Sequence, residues 1–238
     1  MGGTETAASL ARRHPRPEEE QIVVEPRWPI VLSVSVIIVV TVVLRIAEPV
    51  HELSGLAVWL LSGIELVMLV ALIAADSVHV TSTTRWFRWV AITLTMTLAA
   101  ATLLDTFALI VNLVGGSKVT ASAGPLLASG TVVWLGNCLV FGLAYWQLDS
   151  GGPLARYRGD YEFADFAFTQ RINPDLAPPG WRPRYVDYLA LGFTTSTAFS
   201  PTDVMPMSPW AKLSMALQSL ISLILLGLVI ARAVNVLP

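Results

Sequence analysis

Glu65, Asp105 and Asn137 each stand inside a long apolar run. An acid at the centre of a membrane helix costs about 2.5 to 3.5 kcal/mol on insertion scales, so such residues carry a function or a partner. Counted from one shared face, Glu65 is 11 residues from Ser54, Asp105 is 9 from Val114, and Asn137 is 11 from Leu126. At about 1.5 Å per residue the three fall within roughly 3 Å of one depth. If the runs adjoin, they make a polar layer able to hold a proton or a cation. The same residues also suit a neutral hydrogen-bonded cluster that glues helices together. A second group, Thr194 to Thr197, is a run of hydroxyls that leads through Ala198, Phe199, Ser200, Pro201 and Thr202 to Asp203.

Soluble catalytic chemistry has little to work with. The sequence lacks a Ser-His-Asp arrangement, a glycine-rich phosphate loop and a cluster of His, Cys and acidic ligands, so we assign no catalytic residue, metal site or organic cofactor. Asp160, Glu162 and Asp165 could suggest a hydrolytic pair, but acids on a solvated loop are commonplace. The single cysteine, Cys138, excludes an intramolecular disulfide and reads as packing. Basic residues form no helical stripe and the net charge is -2, which argues against a nucleic-acid partner.

The elements that position these residues follow from composition. Of 238 residues, 54% are hydrophobic and 13% charged, about half the charge of a soluble domain. An α-helix needs about 20 mostly apolar residues to cross the hydrocarbon core. Five stretches come close to that: Trp28 to Leu44, Ser54 to Ala75, Trp86 to Val114, Leu126 to Leu148, and Trp210 to Val234. The expected architecture is an all-α integral membrane protein with five transmembrane helices and a re-entrant helix before the last. Residues 1–27 read as a disordered tail and 28–148 as a four-helix transmembrane bundle. Residues 149–184 read as a Pro/Gly-rich linker, with an interfacial helix over Tyr161 to Ile172, and 185–238 as a separate module. The hydroxyl-rich segment starts apolar and stops at Pro201, so its helix is too short to cross comfortably.

That last module resembles the pore of tetrameric P-loop cation channels of the potassium-channel type. Asp187, Leu189, Phe193, Thr195, Thr197, Asp203, Pro206, Ser208, Trp210, Ala211 and Lys212 match the pattern without a gap, and Gly227 stands where an inner helix often has a glycine. The resemblance covers Asp187 to Leu237. It implies a pore helix over Asp187 to Thr197, a filter strand over Ala198 to Asp203, and a pore-lining helix with Ser214, Gln218 and Ser222 as its water-facing stripe. It also implies a homotetramer. The departure lies in the filter, where neither glycine of Thr-Val-Gly-Tyr-Gly is present and Pro201 fixes one φ. Rings of Ser200, Thr202 and Asp203 side chains around a hydrated monovalent cation suit it better than a carbonyl cage. The chain is also similar to bacterial membrane proteins that share an Ala-Phe-Ser-Pro-Thr-Asp segment, a likeness that brings no activity with it.

The leading expectation is therefore a homotetrameric, channel-like multi-pass protein of the cell membrane. The alternatives are a small proton- or cation-coupled transporter using Glu65 and Asp105, and a structural membrane protein that conducts nothing. With the N-terminus inside and five crossings, twelve of the 15 Lys and Arg residues fall on the cytoplasmic side, as the positive-inside rule favours. A six-span chain, in which Tyr185 to Ser200 crosses fully, has the same charge bias.

Overall fold

The computed structural model describes residues 28–47, 63, 67, 70, 85–115, 122–159, 161–199 and 203–236. Four long helices dominate it: α1 (Trp28–Ala47), α2 (Arg85–Gly115), α3 (Ala123–Leu148) and a last helix, α7 (Pro209–Val236). Between α3 and α7 lie α4 (Pro153–Arg158), β1 (Phe166–Phe168), α5 (Thr169–Ile172), α6 (Tyr185–Ala198) and β2 (Val204–Pro206). Three described helical stretches, Trp89–Gly115, Ala123–Gly151 and Pro209–Val236, are long and apolar enough to cross a membrane. The chain is thus built as a helical membrane protein. Four of the expected stretches are helical, as α1, α2, α3 and α7, and the last three of these are the ones long enough to cross; the fifth, Ser54 to Ala75, lies outside the described residues except for Gly63, Val67 and Val70, which are helical. Glu65 also lies outside them, as does the N-terminal tail.

In water the Val- and Ile-rich α1 would favour a strand. In lipid a helix wins, because it satisfies every backbone group within one segment. The hydroxyls of these helices are satisfied the same way: Thr95 donates to the Ala91 carbonyl at 2.9 Å and Thr106 to the Thr102 carbonyl at 2.7 Å. At the start of α7, Pro209 suits the first helical position, and the Ser208 hydroxyl accepts from the Ala211 N–H at 3.4 Å.

Helix α3 is the centre of the molecule and is apolar on all sides, as a helix surrounded by others must be. Three clusters stack along it. Near its N-terminus, Leu126 and Val133 meet Leu109 and Leu113 of α2 and Leu225, Val229 and Ala233 of α7. Farther along, Val140 and Leu143 meet Ile30, Val34, Ile37 and Ile38 of α1 and Leu94 and Leu98 of α2. At its C-terminal end Tyr145 joins Phe166, Phe168, Tyr188, Leu191, Val204, Ala211 and Met215. These pairings make α2 and α7 antiparallel to α3. On α1, Ile30 shares the Tyr185 cluster while Val36 and Ile37 reach Leu135 to Leu139, so α1 runs the same way as α2.

Helix α6 is antiparallel to α3 as well. Tyr188 reaches the end of α3 at Asp149, Gly192 rests on Cys138, and the Phe193 ring stands edge-on to Trp134 at 5.5 Å. Hence α6 and α7 run in the same direction and begin at the same end. Two glycines allow α6 its place. A Cβ on Gly192 would meet the Cys138 carbonyl oxygen at 2.6 Å, and one on Gly142 would meet the Leu189 Cα and the Tyr188 carbonyl oxygen at 3.1 Å. The helices touch backbone to backbone there.

The expected interfacial helix over Tyr161 to Ile172 is not what forms. Phe166 to Phe168 is a strand, antiparallel to β2 in the register Phe166↔Pro206, Ala167↔Met205 and Phe168↔Val204, and only Thr169 to Ile172 make a helical turn. The reason is a period of two, which puts both Phe166 and Phe168 into the aromatic cluster.

The glycine contact predicts that Gly192→Ala, measured by thermal unfolding in detergent, destabilises by about 1 to 3 kcal/mol, the usual cost of overpacking. Gly227→Ala, where an added Cβ meets nothing within 4 Å, should leave the midpoint unchanged. Equal effects at both positions would count against close contact as the cause.

Candidate functional site

A chain of buried polar groups runs along the seam where α3, α6 and α7 meet. At its upper end, next to the β1–β2 ribbon, Asp149 directly follows α3 and is wholly buried. Its Oδ1 accepts from the Ser150 hydroxyl at 2.8 Å and from the backbone N–H groups of Asp165 and Phe166 at 3.0 and 3.3 Å. Its Oδ2 accepts from the Tyr188 hydroxyl of α6. Asp165 repeats the pattern: it accepts from the Ser150 N–H at 2.8 Å and from Trp210 Nε1 of α7 at 2.8 Å. All four carboxylate oxygens are thus engaged by donors of the chain itself. Arg156 lies alongside, donating to the Asp149 carbonyl at 2.7 Å, with its guanidinium 4.9 Å from the centre of the Tyr188 ring. One buried and one half-buried carboxylate are therefore tied to the ends of three helices.

A sharp turn makes this possible. Ser150, Gly151 and Gly152 all have positive φ, at 53°, 77° and 99°, so the chain reverses immediately after α3 and brings β1 back over the helix end.

One level deeper is Gln218 of α7, wholly buried. Its Oε1 accepts from the Tyr145 hydroxyl at 2.6 Å, and its Nε2 donates to the Gly192 carbonyl at 2.7 Å and the Ser196 hydroxyl at 2.8 Å. Gln218 thereby bonds both α3 and α6. Deeper again, Asn137 of α3 donates to the Ser222 hydroxyl at 2.9 Å.

These contacts revise two expectations. Gln218 and Ser222 are not a water-facing stripe: both are wholly buried within the chain, and half-buried Ser214 donates to the Ala211 carbonyl at 3.0 Å. Polar side chains on an apolar helix turn toward whatever donors and acceptors the adjoining helices offer, and here those lie on α3 and α6. Likewise Asn137 joins Ser222 rather than Asp105, which is half-buried on α2. The face that α7 leaves exposed is apolar and includes Leu213, Leu217, Leu220, Ile224 and Gly227.

The expected filter divides into three parts. Thr197 and Ala198 form the exposed end of α6, which runs from Tyr185 to Ala198, and the Thr197 hydroxyl bonds back to the Phe193 and Thr194 carbonyls at 3.0 and 3.1 Å. Phe199 ends the helix in the left-handed conformation at φ 55°. Ser200, Pro201 and Thr202 lie outside the described residues. Asp203 is exposed, and its carbonyl accepts from the Thr169 hydroxyl at 2.5 Å, which ties it to the ribbon. No group of three or more metal-ligating side chains occurs among the described residues.

Asp149, Asp165, Tyr145 and Tyr188 were not singled out by sequence as a unit. The usable signal was an aspartate placed directly after an apolar run and before Gly151-Gly152, a position that obliges it to find donors. If Asp149 and Tyr188 act as one unit, Asp149→Asn and Tyr188→Phe will each destabilise by about 1.5 to 3 kcal/mol. In chemical unfolding the double variant should cost less than the two summed, by at least about 0.5 kcal/mol. Strict additivity would show them to be independent. No protein-family model, no curated protein and no solved structure matches the chain.

Proposed function

We propose that residues 123–236 form a pore-like module, with α3 as outer helix, α6 as re-entrant pore helix and α7 as inner helix, and that four copies surround a cation path. The observation that carries this reading is the shared direction of α6 and α7. A 14-residue helix reaches about 21 Å, short of the roughly 30 Å of hydrocarbon. Val204 packs at the level of Tyr188, which lies about 16 Å back along α6 from Phe199. The five residue steps from Phe199 to Val204 span about 17 Å when extended, just enough to return to the end where α6 began. A helix that enters and a strand that leaves by the same face are what a pore loop requires, and they favour a dip over a full crossing. The common direction of α1 and α2 likewise suits five spans, since the chain between them has to recross.

On this reading Asp203, tied to the ribbon, lies at the mouth on the linker side. Four such carboxylates would raise the local cation concentration. Ser200 and Thr202 would offer hydroxyls to a hydrated monovalent ion. With Gln218 and Ser222 turned inward, the inner lining falls to the apolar face of α7, and a narrow apolar lining gates by wetting and drying. The positive-inside rule favours a cytoplasmic mouth.

Native mass spectrometry should give a tetramer, and purified protein in planar bilayers should pass monovalent cations. Asp203→Asn should reduce conductance at low salt and lose that effect at high salt, where screening removes the mouth's field. A monomer, or bilayers that stay silent with folded protein, would end the channel reading.

A further inference from the structure

Helix α6 stops partway along α3, and three buried polar atoms close to that point have no hydrogen-bond partner among the described residues. They are Trp134 Nε1, Asn137 Oδ1 and Thr195 Oγ1. Asn137 and Thr195 are buried to within 1% of their surface. Helix register brings the three to one level. Trp134 and Asn137 are three residues apart on one face of α3. Gly192 of α6 rests on Cys138, next to Asn137, and Thr195 follows Gly192 by one turn on the same face, in the direction of Trp134. From α7, Ser222 accepts the Asn137 amide at 2.9 Å, and Ser219, one turn earlier, donates to the Thr195 carbonyl at 3.4 Å.

The three atoms differ in what they need. An indole N–H only donates, an amide oxygen only accepts, and a hydroxyl does both. A water molecule satisfies all of them: it accepts from Trp134, donates to Asn137 Oδ1, and takes either role toward Thr195. A cation suits them poorly, because the indole N–H points positive charge at it. Water is also the smallest molecule able to meet a donor, an acceptor and a hydroxyl at once.

We propose that one or a few water molecules occupy a buried hydration site beneath the C-terminal end of α6, held by Trp134, Asn137 and Thr195. The site belongs to the single chain and does not rest on the channel reading.

Two measurements on the full chain in nanodiscs test it. In proton-detected solid-state NMR, magnetisation should pass from water to the Trp134 indole N–H, with Trp134→Phe identifying the signal. Absence of that transfer overturns the proposal whatever the variants do. Thr195→Val, nearly isosteric, should lower the thermal midpoint by several degrees while Thr195→Ser leaves it close to the parent, since only the hydroxyl matters. A hydroxyl that held no water would be better replaced by a methyl, so an unchanged or raised midpoint for Thr195→Val also overturns it. Should that variant fail to fold, the transfer measurement on the unsubstituted protein decides alone.

Discussion

The contact of Gly142 with α6 and of Gly192 with α3 sets the distance on which the rest of the seam depends. A short helix has few side chains with which to bury area, and α6 gains its hold by laying its backbone directly on that of α3. Close approach has a consequence for polar chemistry. It places the Gly192 carbonyl and the Ser196 hydroxyl within reach of Gln218, a side chain from the third helix, and one amide then bonds two neighbours. A methyl group at Gly192, 2.6 Å from the Cys138 carbonyl oxygen, would push the two helices apart and stretch these bonds.

The seam is a graded structure. At the ribbon end, charged groups are permitted because Asp149 and Asp165 are surrounded by donors and an adjacent arginine. In the middle, neutral amides and hydroxyls suffice, and they tie α7 to both α3 and α6. Near the far end, Gly130 lets the Val229 side chain of α7 approach α3 within an apolar cluster.

Sequence alone carried the long elements well, because hydropathy and length depend on composition and little on neighbours. The described ends of α1, α2, α3 and α7 fall within a few residues of the expected ones. The short helix before α7 was also visible, from an apolar start and a proline stop. What sequence did not carry was orientation about the helix axes. Ser214, Gln218 and Ser222 share a helical face, but whether that face meets water or α3 depends on Tyr145, Gly192 and Ser196, which are distant in the chain. The linker misled for a different reason. Its alternation of aromatic and acidic residues suggests an interfacial helix, whereas Phe166 and Phe168 bury on the two-residue repeat of a strand whose partner lies almost 40 positions later.

That ribbon has a meaning for the order of assembly. During synthesis β1 emerges well before β2, and between them comes a helix too short and too hydroxylated to be retained as a span by itself. Until Val204 to Pro206 arrive, Phe166 and Phe168 lack the strand that completes their cluster, and until Trp210 arrives Asp165 lacks one of its donors. The β1–β2 pairing is therefore a late event, possible only after the whole of α6 has been made. It acts as a clasp that closes on a finished module and has nothing to grip on an unfinished one.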